Sequence, residues 1–150
     1  MDCHNSERKS VLQVIFLIAR EEWGGRMLAD SKIMSFIFTR DYDNARAFYE
    51  GKLGFQFVSQ DQFALAVRAG SNMIRISKVP DFKPAQGTVL GWEVRDIEAA
   101  VAWLKDRGVA LEDYSFIQDR QLRIWTAPGG SRVAWFKDPD GNVLSVSQHT

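Results

Sequence analysis

Arg75, Glu93, Ser145 and Ser147 are the polar side chains best placed to do chemistry, because each interrupts an otherwise apolar stretch at an alternate position. Met73-Ile74-Arg75-Ile76-Ser77, Leu90-Gly91-Trp92-Glu93-Val94 and Val143-Leu144-Ser145-Val146-Ser147 all have the period of a strand, which puts the polar residues on one face. A carboxylate at Glu93 can pair with Arg75, bind a ligand cation, or act as a general base if burial raises its pKa. The guanidinium of Arg75 can instead capture a carboxylate or phosphate. The histidines are His4, near the start, and His149, whose parity matches that of Ser145 and Ser147. One histidine among scattered carboxylates is no recognisable ligand set, and no Ser-His-Asp or Cys-His constellation supports nucleophilic catalysis.

The elements that position these residues occur twice. Asp138-Pro139-Asp140-Gly141-Asn142 precedes the strand of Ser145, and a shorter version, Ser71-Asn72, precedes the strand of Arg75. Asp41 lies seven residues before Phe48, and Asp96 lies seven before Trp103; each aspartate can cap a helix whose apolar face follows. Gly54 and Gly108 end these helices. Strands are expected over 33–38, 55–58, 63–67 and 73–77 in the first copy. The second copy is expected to follow with strands over 88–94, 109–114, 132–137 and 143–147. Each copy therefore reads βαβββ, with module 31–79, a linker over 80–87 containing Pro80 and Pro84, and module 88–148. The second copy is longer, thirty-four residues from Gly108 to Asn142 against eighteen from Gly54 to Asn72. The excess, 115–130, predicts an extra strand or long hairpin arm ending in Pro128-Gly129-Gly130. No helix follows this glycine pair, so it is not a phosphate loop.

Residues 1–30 differ from the rest. The apolar run from Val11 to Ala19 is nine residues long, too short to span a bilayer. Arg8 and Lys9 precede it as in a signal peptide, but Glu21 and Glu22 stand where a cleavage site would be. Two readings stand side by side: a short amphipathic helix to about Trp23, or a non-native leader before a start at Met27. The 19 basic and 19 acidic residues balance, and no basic stripe carries interleaved aromatics, which disfavours nucleic acid as a partner. The one cysteine, Cys3, excludes an internal disulfide and fits a cytoplasmic location.

These residues resemble the vicinal oxygen chelate superfamily, also called the glyoxalase/bleomycin-resistance/dioxygenase family. The resemblance rests on Arg40-Asp41-Tyr42-Asp43-Asn44-Ala45-Arg46-Ala47-Phe48-Tyr49 with Leu53-Gly54-Phe55, and on Val94-Arg95-Asp96. Its most specific part is Val133-Ala134-Trp135-Phe136-Lys137-Asp138-Pro139-Asp140-Gly141-Asn142. It implies an α+β fold in which two tandem βαβββ modules curl into an open β-barrel with helices outside. It also implies a homodimer and, in the enzymes of the family, one divalent metal held by first and last strands. The positions that correspond here are Met34, Val89, Arg75 and Ser145, which suit no hard or borderline divalent cation. No metal or other cofactor is therefore expected.

In such a barrel, strand parity turns Met34, Phe36, Phe38, Arg75, Val89, Gly91, Glu93, Ser145 and Ser147 toward the concave side. That is an apolar, aromatic-lined pocket with one acid, one base and two hydroxyls, the make-up of a small-molecule site. Trp125 and Trp135 are expected to fill a core or pack a dimer. Two functions are compatible with this pocket. One is a metal-free binding protein resembling the bleomycin-resistance proteins. The other is a lyase, isomerase or dioxygenase-type enzyme that uses Glu93 as general base or an unrecognised metal site. No membrane partner is expected.

Overall fold

Two aspartates start the two principal helices in the same way. Asp41 Oδ1 accepts from the Asn44 backbone N–H at 2.9 Å, and Asp96 Oδ1 accepts from that of Ala99 at 3.0 Å. Each bond satisfies a donor that the first helical turn leaves free. The computed structural model describes residues 28–150, so both readings of the leader, as a helix to Trp23 or as a start at Met27, lie outside the described residues.

The first module runs β1 (Met34–Thr39), α1 (Tyr42–Arg46), β2 (Gln56–Gln60), β3 (Leu65–Ala69) and β4 (Asn72–Lys78). Helix α1 continues into a π-helical segment, Ala47–Lys52, whose end is marked by Leu53 N–H donating to Phe48 O at 2.9 Å. The second module runs β5 (Thr88–Glu93), α2 (Ile97–Asp106), β6 (Trp125–Thr126), β7 (Arg132–Lys137) and β8 (Val143–Gln148). The sheet orders are β1-β4-β3-β2 and β5-β8-β7-β6, the same topology twice. In both, the first strand pairs in parallel with the last, and the other pairings are antiparallel. The α+β fold with two βαβββ modules is thus as expected. The sheets do not close on one another: β1 and β5 are both edge strands.

Two expected strands shift. The third strand begins at Leu65, not at 63, because Asp61 Oδ1 accepts from the N–H groups of Phe63 and Ala64 at 2.8 and 2.9 Å and holds them in a turn. No strand forms over 109–114. Leu111 makes a single bridge to Phe136, after which the chain turns away to bury Ile117 and Ile124. The neighbour of β7 is instead β6, paired across the turn as Trp125↔Val133 and Thr126↔Arg132.

The helix-facing sides of both sheets share one core. Ile37, Leu65, Val67, Ile74 and Ile76 from the first sheet join Ala134, Phe136, Leu144 and Val146 from the second, with Phe48, Tyr49, Val101 and Leu104 from the helices. Burying each such side chain is worth about 1.5–3 kcal/mol, so this face must point inward. Among the described residues, no helix is long and apolar enough to cross a membrane.

The modules are also joined by polar bonds. Asp138, 6% exposed, accepts from Tyr49 Oη at 2.7 Å, Asn142 Nδ2 at 2.8 Å, and the N–H groups of Asn142 and Asp140 at 2.9 and 3.0 Å. Asp140 accepts from Thr39 Oγ1 and the Arg40 N–H, while Asn142 Nδ2 donates to Phe38 O at 2.9 Å. The Asp138 turn therefore clasps the end of β1 and the π-helical segment that follows α1.

Candidate functional site

Alternation along the strands sets which side chains lie opposite the core. On β1, Ile37 and Thr39 are buried, whereas Met34, Phe36 and Phe38 stay 46%, 60% and 47% exposed. Their neighbours on β4 follow the parallel register Met34↔Met73, Phe36↔Arg75 and Phe38↔Ser77. On the second sheet, Gly91↔Ser145 and Glu93↔Ser147 are register pairs, and Ser145 and Ser147 in turn oppose Trp135 and Val133. The expected site residues therefore lie on the sheet sides away from the core, one set on each sheet.

The polar members do not form the ion pair that the sequence allowed. Among the described residues, no ion pair joins Arg75 or Glu93 to an opposite charge. Arg75 is half-buried and Glu93 exposed. Arg75 acts only at a distance on Asp61, whose carboxyl is held below the usual range mainly by the backbone N–H groups of Ala64 and Phe63. Ser147 Oγ lies 3.1 Å from His149 Nε2, and Glu93 and His149 line a common cleft of about 470 Å³ with Arg95 and Gln148. Ser145 packs against the backbone of Gly91: a Cβ added there would sit 2.9 Å from Ser145 Oγ.

The four positions that the resemblance relates to metal ligands offer a thioether (Met34), an alkyl group (Val89), a guanidinium (Arg75) and a hydroxyl (Ser145). This donor set does not fit a divalent cation, because it supplies no imidazole, carboxylate or thiolate. Among the described residues, no three His, Cys, Asp or Glu side chains gather as a candidate metal cluster.

Sequence reasoning missed an aromatic group beside Ser145. Trp135, directly opposite Ser145 in the register, lies 6.2 Å from Trp125, 5.8 Å from Phe116 and 5.7 Å from Tyr114 between ring centroids. Tyr114 stacks on Phe116 at 5.3 Å with an interplanar angle of 15°. The strand parity of Trp135 and Trp125 was a usable signal, since both share a face with Ser145 or Ser147. Phe116 lies between strands, where no period applies, and Tyr114 ends the stretch 109–114, which is expected as a strand and is not one. Phe116 remains 53% exposed, so the group presents an open π surface instead of filling the core.

Comparison with known proteins agrees with this architecture. The family model described as the glyoxalase/bleomycin resistance protein/dioxygenase superfamily matches residues 31–146. Among solved structures, a member of that superfamily from Sphaerobacter thermophilus is 25% identical, with a TM-score of 0.63 and coverage of 81% of this chain and 100% of its own. A glyoxalase family protein from Enterococcus faecalis is 23% identical, with a TM-score of 0.61 and coverage of 79% and 97%. A bleomycin-binding protein in complex with bleomycin is also 23% identical, with a TM-score of 0.61 and coverage of 80% and 99%. No curated protein matches the chain. With the family motifs, the repeated βαβββ topology and a match across most of its length, the chain belongs to the glyoxalase/bleomycin resistance protein/dioxygenase superfamily.

Proposed function

We propose that this protein is a metal-free, cytoplasmic small-molecule-binding member of its superfamily, with its ligand stacked on the second sheet. The observation that carries the reading is the group Tyr114, Phe116, Trp125 and Trp135 beside Ser145, on the sheet side away from the core. Flat rings gain from offset or edge contacts with such a surface, at about 0.5–1.5 kcal/mol per pair beyond burial. Glu93, Ser145 and Ser147 supply polar contacts nearby, Met34, Phe36, Phe38 and Val89 complete the site from the edge strands, and Arg75 joins them from β4.

Edge strands β1 and β5 and the exposed Met34, Phe36, Phe38 and Val89 support a homodimer, since a second copy would cover them and complete the site. The domain proposed is glyoxalase-like over 31–150, made of module 31–79, linker 80–87 and module 88–148.

The test starts from bleomycin, the ligand of one similar structure. Protein purified without chelator should carry no stoichiometric metal by elemental analysis, and bleomycin should quench tryptophan fluorescence and raise the melting temperature. Trp135→Ala should weaken binding about tenfold or more. Stoichiometric metal that is lost with Glu93→Gln or His149→Ala would overturn the metal-free reading. The enzymatic alternative keeps one specific support, the cleft shared by Glu93 and His149. A base at Glu93 predicts that Glu93→Gln leaves affinity nearly intact and abolishes turnover.

A further inference from the structure

Two arginines share the outer face of the first sheet. In the register, Arg75 of β4 stands opposite Ala66 of β3, and Arg68 of β3 stands opposite Met73, two residues before Arg75. The arginines are therefore diagonal neighbours, with backbones about 7–8 Å apart and side chains long enough to reach a common point. Arg75 is half-buried and Arg68 exposed. Among the described residues, neither guanidinium makes a hydrogen bond, an ion pair or a ring contact. Asp61 acts on Arg75 only at a distance, and its Oδ1 already accepts from the N–H groups of Phe63 and Ala64. The neighbours in the same rows are apolar: Phe36 of β1 lies beside Arg75, and Met73 separates Met34 from Arg68.

We propose that Arg68 and Arg75 together bind the oxyanion, a carboxylate or phosphate, of a ligand with an apolar body. The inference rests on the reading of the outer sheet faces as a small-molecule site; it fixes the charge of the ligand and adds Arg68 to the residues that hold it. A half-buried guanidinium presents its N–H donors in a planar fork, and leaving them unmet costs free energy that a bidentate oxyanion recovers. Two like charges at this spacing repel each other, and an anion between them turns that repulsion into attraction for both. Phe36 and Met34 are 60% and 46% exposed beside the pair, so a ring or alkyl group attached to the anion covers surface that inorganic phosphate would leave wet.

Naphthoate, naphthyl phosphate and the neutral naphthamide separate charge from shape in isothermal titration. At least one anion should bind about tenfold or more tighter than the amide, and the tighter of the two tells whether the group is a carboxylate or a phosphate. Arg75→Met keeps a long unbranched side chain; it should bring the anions down to the level of the amide and leave the amide unchanged. Arg68→Met, at an exposed position, should weaken the anions about threefold. Anions that bind no better than the amide overturn the inference, as does an anion preference that survives Arg75→Met. A dimer that Arg75→Met dissociates in sedimentation, with no anion preference in the wild type, overturns it too, because the guanidinium would then face an acid of a second copy. Should Arg75→Met not fold, Arg68→Met and salt decide. Raising sodium chloride from about 0.02 M to about 0.5 M should weaken the anions several-fold and the amide not at all, and an equal response refutes the site. Bleomycin binding and its loss in Trp135→Ala are read separately, so failure of the aromatic group on the second sheet and failure of the oxyanion site are told apart.

Discussion

Equivalent register positions of the two modules hold opposite kinds of side chain. Phe36 pairs with Arg75 on the first sheet, and Gly91 pairs with Ser145 at the matching place on the second. The first module thus carries bulk and positive charge on its outer face, where the second carries a recess with an acid at its rim. Helix positions diverge as well: Tyr49, eight residues after Asp41, donates to Asp138, whereas its counterpart eight residues after Asp96 is the apolar Leu104. The longer second module adds the segment that delivers Tyr114, Phe116 and Trp125. Topology is what the two copies share, and chemistry is confined to positions that topology leaves free.

That contrast can be broken most severely at the turns that precede the last strands. Asp138→Ala removes the acceptor of four hydrogen bonds and strands buried donors, which should cost about 3–4 kcal/mol in urea unfolding. Asn72→Ala, in the corresponding turn of the first module, is exposed and should cost less than about 1 kcal/mol. Equal losses at the two sites would mean that the clasp does not join the modules.

A smaller effect is expected at Gly91. Gly91→Ala pushes a methyl group onto Ser145 Oγ, and a double-mutant cycle with Ser145→Ala should return a coupling of about 1 kcal/mol. Zero coupling would show that Ser145 simply rotates away, and the recess would not depend on glycine.

The smallest effect concerns alkaline pH. Burial, and then the negative charge of Asp138, push the Tyr49 phenol far above its ordinary value. The native state thus keeps the proton that the unfolded chain releases near pH 10. Stability is full below that pH and declines as pH rises above it. Tyr49→Phe should cost about 1 kcal/mol at neutral pH and flatten this alkaline decline in denaturation midpoints. Leu104→Met, at the matching helix position, should leave the pH dependence as it is.

Much of this plan was legible in the residues. Asp41 and Asp96 marked both helix starts, and alternation along β1, β4, β5 and β8 separated core from outer face. The segment over 109–114 misled because Val109 and Leu111 alternate like a strand while being held only by one bridge and the core beneath. A short edge pairing such as Trp125–Thr126 has too few residues to show a period, although the Gly-Gly turn after it is the mark of a hairpin. The pairing of Glu93 with Arg75, one of the arrangements the sequence allowed, is absent for a different reason. Parity tells which face a side chain takes, but the distance between two sheets that are not hydrogen-bonded together is a tertiary quantity. The same limit hid the four-ring group, half of which comes from a loop.

The clasp around Asp138 has a consequence for how the protein is born. Asp140 holds Thr39 and Arg40 across 101 and 100 residues, and Asn142 holds Phe38 across 104. At ribosomal speeds of about 5–20 residues per second, the first strand waits roughly 5–20 s for its partners to be synthesised. During that interval the Tyr49 hydroxyl has no Asp138 to donate to, and a nascent chain halted before the turn keeps its first module unlatched. Quality control that samples stalled chains would therefore meet this protein with its amino-terminal half unfastened.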